Sequence, residues 1–364
     1  MAAHHDTFAL EESFRWFGPE DPVPLAFIRQ AGAQAVFTSL HQIPYGAVWP
    51  REAIRERKTM LAAAGLRWTC VESVPVPEDI KTGRGDLKRL SKNYADTLQN
   101  LAAEGLSLVI YNFMPVLDWI RTDLRHVLPD GSECMHFDPV RFAAFEIHAL
   151  KRAGALADYS AEQVECATAW WQSLEMVSQE NFIQTIIDVF PGCRLGLTLD
   201  DIRALLARYQ NVREDDLRAN LSRFLEAVIP VAEAAGMRMA IHPDDPPFPM
   251  LGLPRIVSTA DQMEAIFKLA DSPANGLCFC TGSLSARPDN DLPAMVKHLP
   301  QGSMRFICAA RNGCRMVHFT RRIIWPDRWT CRPWCERCRM NRAVGGLPAG
   351  PTGSFPFART MGTR

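Results

Sequence analysis

The first 307 residues predict an α/β fold on a parallel sheet, and three observations carry that expectation. Short, nearly uninterrupted apolar runs recur along the chain, as buried parallel strands require. Stretches of helical period lie between them. The runs number seven, one short of a closed (β/α)8 barrel.

The runs are "FRWFG" (14–18), "AVFTSL" (35–40), "RWTCVES" (67–73), "LSLVIYNF" (106–113), "MRMAIH" (237–242), "GLCFC" (276–280) and "MRFIC" (304–308). After the second comes "PREAIRERKTMLAAAG" (50–65), which reads as a helix. Before the fifth comes "EDDLRANLSRFLEAVIPVAEAAG" (214–236). There Leu217, Leu221, Phe224, Leu225, Val228 and Ile229 recur at helical spacing, and Gly236 supplies a stop. Residues 114–235 read as a mostly helical, charge-rich insertion on the barrel rather than as a second domain. Residues 1–13 read as an N-terminal extension to a barrel domain spanning 14–307.

Composition sets limits. The chain has 364 residues, a formal net charge of −1 and ordinary apolar content, without an apolar run long enough to span a bilayer. The acidic N-terminus lacks an apolar leader core, so the eleven cysteines read as reduced thiols of a cytoplasmic protein. From Cys308 onward the character changes. This segment holds eleven Arg, no Lys and only two acids, Asp327 and Glu336, with five of the Cys and three of the nine Trp. Such a segment reads either as a nucleic-acid-binding tail or as residues never selected to fold. Within it, "CRPWCERC" (331–338) has a Cys-x3-Cys-x2-Cys spacing with the ligand chemistry of an iron–sulfur cluster.

In a parallel barrel the reacting groups come from the C-terminal ends of strands. His242 ends the fifth run, with Asp244 and Asp245 just beyond; Cys280 ends the sixth, with Cys278 on the same face. An imidazole and a thiolate suit a divalent transition metal. The same pair also reads as a hydrogen-bonded histidine and a buried cysteine. His41, Glu72, Tyr111 and Asn112 cluster at other strand ends, where a sugar- or acid-binding pocket needs polar groups. Each of these taken alone reads more readily as structural than as catalytic.

"RWFGPEDPVPL" (15–25), "VESVPVPEDIKT" (71–82), "YNFMPVLDWIRTDL" (111–124), "HPDDPPFPMLGLPRIVST" (242–259) and "CTGSLSARPDNDL" (280–292) resemble signatures of the mannonate dehydratase family. The resemblance runs from about residue 14 to 307. It implies a xylose isomerase-like TIM barrel that takes water from D-mannonate to give 2-keto-3-deoxy-D-gluconate in hexuronate (glucuronate) breakdown. It implies Fe(II) or Mn(II), with His242 and Cys280 as two metal ligands. It adds Asp244 and Arg287 to His41, Glu72, Tyr111 and Asn112 as candidate substrate contacts. The expected partner is a small sugar acid, with no nucleic acid and no membrane, and a homo-oligomer is compatible with it.

The family's other two ligands lie in "THLR" and "RPDHGH" strings, and neither string occurs here. A reading-frame slip accounts for this. If the true frame begins on the third base of each preceding codon, the single codons of Trp and Met force several residues. Trp325–Pro326 then yields Ala, Trp329–Thr330 yields Asp, Trp334–Cys335 yields Val and Met361–Gly362 yields Gly. With permitted choices elsewhere, both a "FHEA…DM" segment and a "PDHGH" string emerge. Residues from about 308–313 onward therefore read as out-of-frame and disordered, and "CRPWCERC" as an accident without a cluster. The leading expectation is a mannonate dehydratase by family, with the chain as written, lacking half of the metal site, expected to bind metal weakly and to dehydrate mannonate poorly or not at all. Its alternatives are an inactive, truncated relative and a cluster- or nucleic-acid-binding protein.

Overall fold

The computed structural model describes residues 11–128, 131, 133–188, 197–299 and the strand backbone at 304–307 and 318–320. Seven parallel strands form the main sheet: β1 (Glu11–Arg15), β2 (Ala35–Thr38), β3 (Arg67–Glu72), β4 (Leu108–Tyr111), β7 (Arg238–Ile241), β8 (Asn275–Cys280) and β9 (Met304–Ile307). A further strand, β10 (His318–Thr320), pairs antiparallel with β1 and lies against β9, so the curled sheet comes round on itself. This is a (β/α)8-type barrel. The first strand sits three residues earlier than the apolar run at 14–18 suggests: the pairing partners are 13–15, and Trp16 and Phe17 follow at the rim. Most of the segment expected to stay outside the barrel lies beyond the described residues, "CRPWCERC" included. Of that segment, 318–320 is described, and its backbone adds to the sheet.

The strands form as they do because both of their faces are covered. β2 and β4 are buried at every position, and β8 likewise. One set of side chains, Phe37, Cys70, Leu108, Ile110, Ala240, Cys278 and Cys280, fills the barrel interior. The other set packs outward on helices α1 (Leu25–Gln30), α2 (Arg51–Ala63), α3 (Glu78–Thr82) and α4 (Leu87–Ala103). Asp86 starts α4 by accepting the Arg89 N–H.

The insertion begins with a two-stranded hairpin, β5 (Asp123–Val127) and β6 (Glu133–His136), where the sequence suggested helix. Helices α5 (Pro139–Ala144), α6 (Ala161–Gln172), α7 (Met176–Ile187) and α8 (Leu199–Arg208) follow. They enclose a second core of Phe142, Phe145, Phe182, Ile186 and Ile202, which reaches Val116 and Leu117 of the β4 loop and Met250 and Leu251 of the β7 loop. The chain returns to the barrel through α9 (Glu214–Ala234), whose Leu217, Leu221, Phe224, Leu225, Val228 and Ile229 are all buried, as their spacing predicts. Gly236, at φ +66°, turns it into β7. Beyond β7 come α10 (Ala260–Leu269), α11 (Thr281–Leu284) and α12 (Leu292–His298). Among the described residues no helix is long and apolar enough to cross a membrane.

Candidate active site

β7 and β8 are neighbours in the sheet, so the residues at their C-terminal ends meet. His242 and Cys280, 3% and 5% exposed, lie close enough that each shifts the other's ionisation. The Nδ1–H of His242 donates to the Pro243 carbonyl at 2.7 Å, which leaves Nε2 as the nitrogen available to a ligand. Burial alone would depress the imidazole. Cys280, with Glu72 and Asp245, outweighs burial and lifts His242 to about 9. Burial likewise opposes the thiolate, yet His242 and Ser283 bring the Cys280 thiol below its ordinary value. Ser283 Oγ is 3.3 Å from Cys280 Sγ and 3.0 Å from Asp245 Oδ2. Asp245 is held in turn by a two-pronged pair with Arg121, at 2.9 and 2.7 Å. Arg121 holds its carboxyl below the usual range against the effect of burial.

The other half of the mouth is built at the ends of β1, β2, β3 and β4. A pocket here is lined by Arg15, His41, Glu72, Asn112, Asp118 and Trp119. Arg15 Nε lies 3.7 Å from Glu72 Oε2. Both carboxylate oxygens of Glu72 and Oδ1 of Asn112 are buried without a hydrogen-bond partner among the described residues. Buried acceptors left this way are costly, so their place on a pocket wall marks them as acceptors for a ligand's hydroxyls. His41 is depressed to about 3 by burial first and then by the charges of Arg15 and Arg57. It is a neutral imidazole at neutral pH. The indole of Trp119 joins the two halves, its ring centroid 5.0 Å from that of His242.

The structure thus brings His242 together with Cys280, and His41 with Glu72 and Asn112. Tyr111 goes elsewhere. It is fully buried against Phe224, with its hydroxyl unbonded among the described residues and its ionisation pushed well up by burial. Asp244 pins the β7 loop, accepting from Val257 N–H at 2.7 Å and Ser258 Oγ at 2.8 Å. Arg287 pairs with Asp289 and donates to the Pro247 carbonyl. Sequence reasoning missed Arg15, Trp119, Arg121 and Ser283. Arg121 and Trp119 lie in a string already singled out, but nothing in the string shows that Arg121 reaches a residue 124 positions away.

An imidazole whose Nδ1 is taken by a carbonyl, beside a thiol poised to ionise, fits a borderline divalent ion once the ion displaces the proton on Nε2. The pair supplies two donors; among the described residues no group of three or more His, Cys, Asp or Glu is arranged to hold a metal. A parallel barrel with this pair and an acceptor-lined pocket at the C-terminal end of its strands defines a barrel enzyme for small polar substrates.

Comparison narrows the class. Residues 10–312 match the profile of the family described as D-mannonate dehydratase (UxuA). A mannonate dehydratase of Chromohalobacter salexigens is 51% identical over 286 residues, covering 79% of this chain and 73% of that protein. One from a Marinomonas species is 49% identical over 303 residues, covering 83% and 77%. The crystal structure of mannonate dehydratase from Streptococcus suis superposes with a TM-score of 0.60 at 37% identity, covering 80% of this chain and 70% of that one. The chain belongs to the D-mannonate dehydratase family and is an enzyme of the hydro-lyase class.

Proposed function

We propose that the chain dehydrates D-mannonate to 2-keto-3-deoxy-D-gluconate, with Fe(II) or Mn(II), as a cytoplasmic step of hexuronate breakdown. The observation that carries this reading is the meeting of His242 and Cys280 at adjacent strand ends, beside a pocket whose buried acceptors have no hydrogen-bond partner among the described residues. His242 Nε2 and Cys280 Sγ would hold the ion. When bound, it supplies positive charge for the substrate carboxylate as the α-proton leaves and negative charge builds on those oxygens.

The chain's own residues do the rest. The Pro243 carbonyl fixes the His242 tautomer, and Ser283 orients the sulfur. Glu72 and Asn112 accept hydroxyls and orient the polyol. Arg15, beside neutral His41 and next to Glu72, brings a guanidinium to the β1–β2 side of the pocket and offers it to the acid group of a substrate.

The purified chain with Mn(II), given a panel of sugar acids, is expected to release a 2-keto acid from D-mannonate. Release from a different sugar acid instead would redirect the reading. The inactive alternative expects release from none. The missing half of the ligand set was expected within residues 308–364, which lie outside the described residues except for 318–320.

A further inference from the structure

The wall of the pocket that follows β4 has a strained backbone. Val116 sits at φ +64° and Trp119 at φ +50°. A β-branched residue there is an outlier. The Leu117 N–H donates to the Pro115 carbonyl at 2.8 Å, closing a γ-turn around Val116. This positive-φ form of the turn is rare and strained, and it persists only where its surroundings over-determine it.

The surroundings that do so are two buried, charged residues of α3. Glu78 and Lys81 are 5% and 2% exposed and pair at 3.0 Å. Lys81 Nζ donates to the Met114 carbonyl at 2.6 Å and lies 3.8 Å from Asp118 Oδ1. Glu78 Oε2 accepts the Val116 N–H at 3.2 Å and also the Tyr209 hydroxyl. Asn220 of α9 donates to the Lys81 carbonyl at 2.8 Å and ties the clamp to the barrel's helical layer. The pair therefore touches the turn at residues 114, 116 and 118, one on each side of the strain and one at its centre. At the turn's end Asp118, and just beyond it Trp119, line the pocket, with Trp119 against His242.

We propose that Glu78 and Lys81 are positioning residues, a buried clamp that holds the strained 114–118 turn and so sets the pocket wall. The desolvation of a buried ion pair cancels much of its attraction, and an apolar pair of similar volume often serves stability equally well. Its use here is geometric. The substrate-facing half of this inference rests on the function proposed above.

The test compares the wild-type chain with Glu78→Leu/Lys81→Met, which removes both charges together. The readouts are melting temperature, amide exchange across residues 113–120, and KM and kcat for D-mannonate. The double variant is expected to fold but to melt below wild type, because the Val116 N–H, the Met114 carbonyl and the Tyr209 hydroxyl lose their partners, while exchange in the turn rises about tenfold or more. KM should rise about tenfold with kcat changed less than about threefold. Adding Val116→Gly should restore both, because glycine takes φ +64° without strain. If the double variant does not fold, Glu78→Gln, which keeps the acceptor and drops the charge, is expected to raise exchange at least about threefold. A folded variant whose turn exchanges as slowly as wild type overturns the clamp. So does one that Val116→Gly leaves unrescued. The exchange measurement needs no substrate. Wild type that ignores D-mannonate would therefore count against the proposed function, while exchange still decides the clamp.

Discussion

Two histidines sit at one barrel mouth and titrate in opposite directions. His41, on the β1–β2 side, is driven to about 3 by burial and by two guanidinium groups. His242, on the β7–β8 side, is lifted to about 9 against its own burial by a thiol and two carboxylates. Desolvation acts on both in the same sense, so the sign of each shift is decided by neighbouring charge. On the β7–β8 side Cys280 and Asp245 suit a cation; on the β1–β2 side Arg15, paired with Glu72, offers a guanidinium to the acid group of a substrate.

That contrast can be broken in order of size. Cys280→Ser or His242→Ala removes one of two donors. Each is expected to lower Mn(II) affinity and metal-dependent turnover by about 100-fold or more. A drop below tenfold by calorimetry and product assay would mean the β7–β8 side does not hold the ion. Arg121→Met leaves Asp245 buried without its cation, at an expected cost of about 3 kcal/mol in urea unfolding. An unchanged midpoint would show that Asp245 is held by other means.

The β1–β2 side gives a pH signature. His41 has a folded pKa below its ordinary value, so the unfolded chain takes up a proton that the folded one refuses. Its contribution is intact above about pH 6.5 and is lost as pH falls from there toward 3. The slope in that window is at most about 1.4 kcal/mol per pH unit. His41→Gln should flatten the stability profile between pH 5 and about 6.5; an unaltered slope would mean that His41 titrates normally. For His242 the sign reverses: proton-linked stability is intact below its ordinary value and fades as pH rises through about 9. The smallest effect belongs to Tyr111. Removing its buried hydroxyl, unbonded among the described residues, with Tyr111→Phe should leave stability unchanged or raise it by up to about 1 kcal/mol, with KM unaltered. A raised KM would restore it as a substrate contact.

The barrel was legible because its strands are apolar on both faces: six of the seven runs coincide with strands, and the seventh overlaps β1 only at its last two residues. The hairpin was not, because "DLRHV" and "ECMH" are partly exposed and polar on both faces, with no alternation for a period to catch. In the site, His242 and Cys280 were legible because a strand end fixes where a side chain points. Asp244 and Arg287 follow the same strands but lie in loops, where hydrogen bonds to Val257, Ser258, Pro247 and Asp289 decide direction. Arg15 went unseen for a related reason. It reads as an ordinary charge beside an apolar run, and becomes a pocket residue only when β1 ends at that position.

Cobalt titration tests the central claim most directly, because a thiolate bound to Co(II) announces itself by an intense charge-transfer absorption. The wild-type chain should develop this band, Cys280→Ser and His242→Ala should lose it, and His41→Gln on the opposite wall should keep it. No band in the wild type, or a band that survives Cys280→Ser, would contradict the assignment of the metal to the β7–β8 side of the mouth.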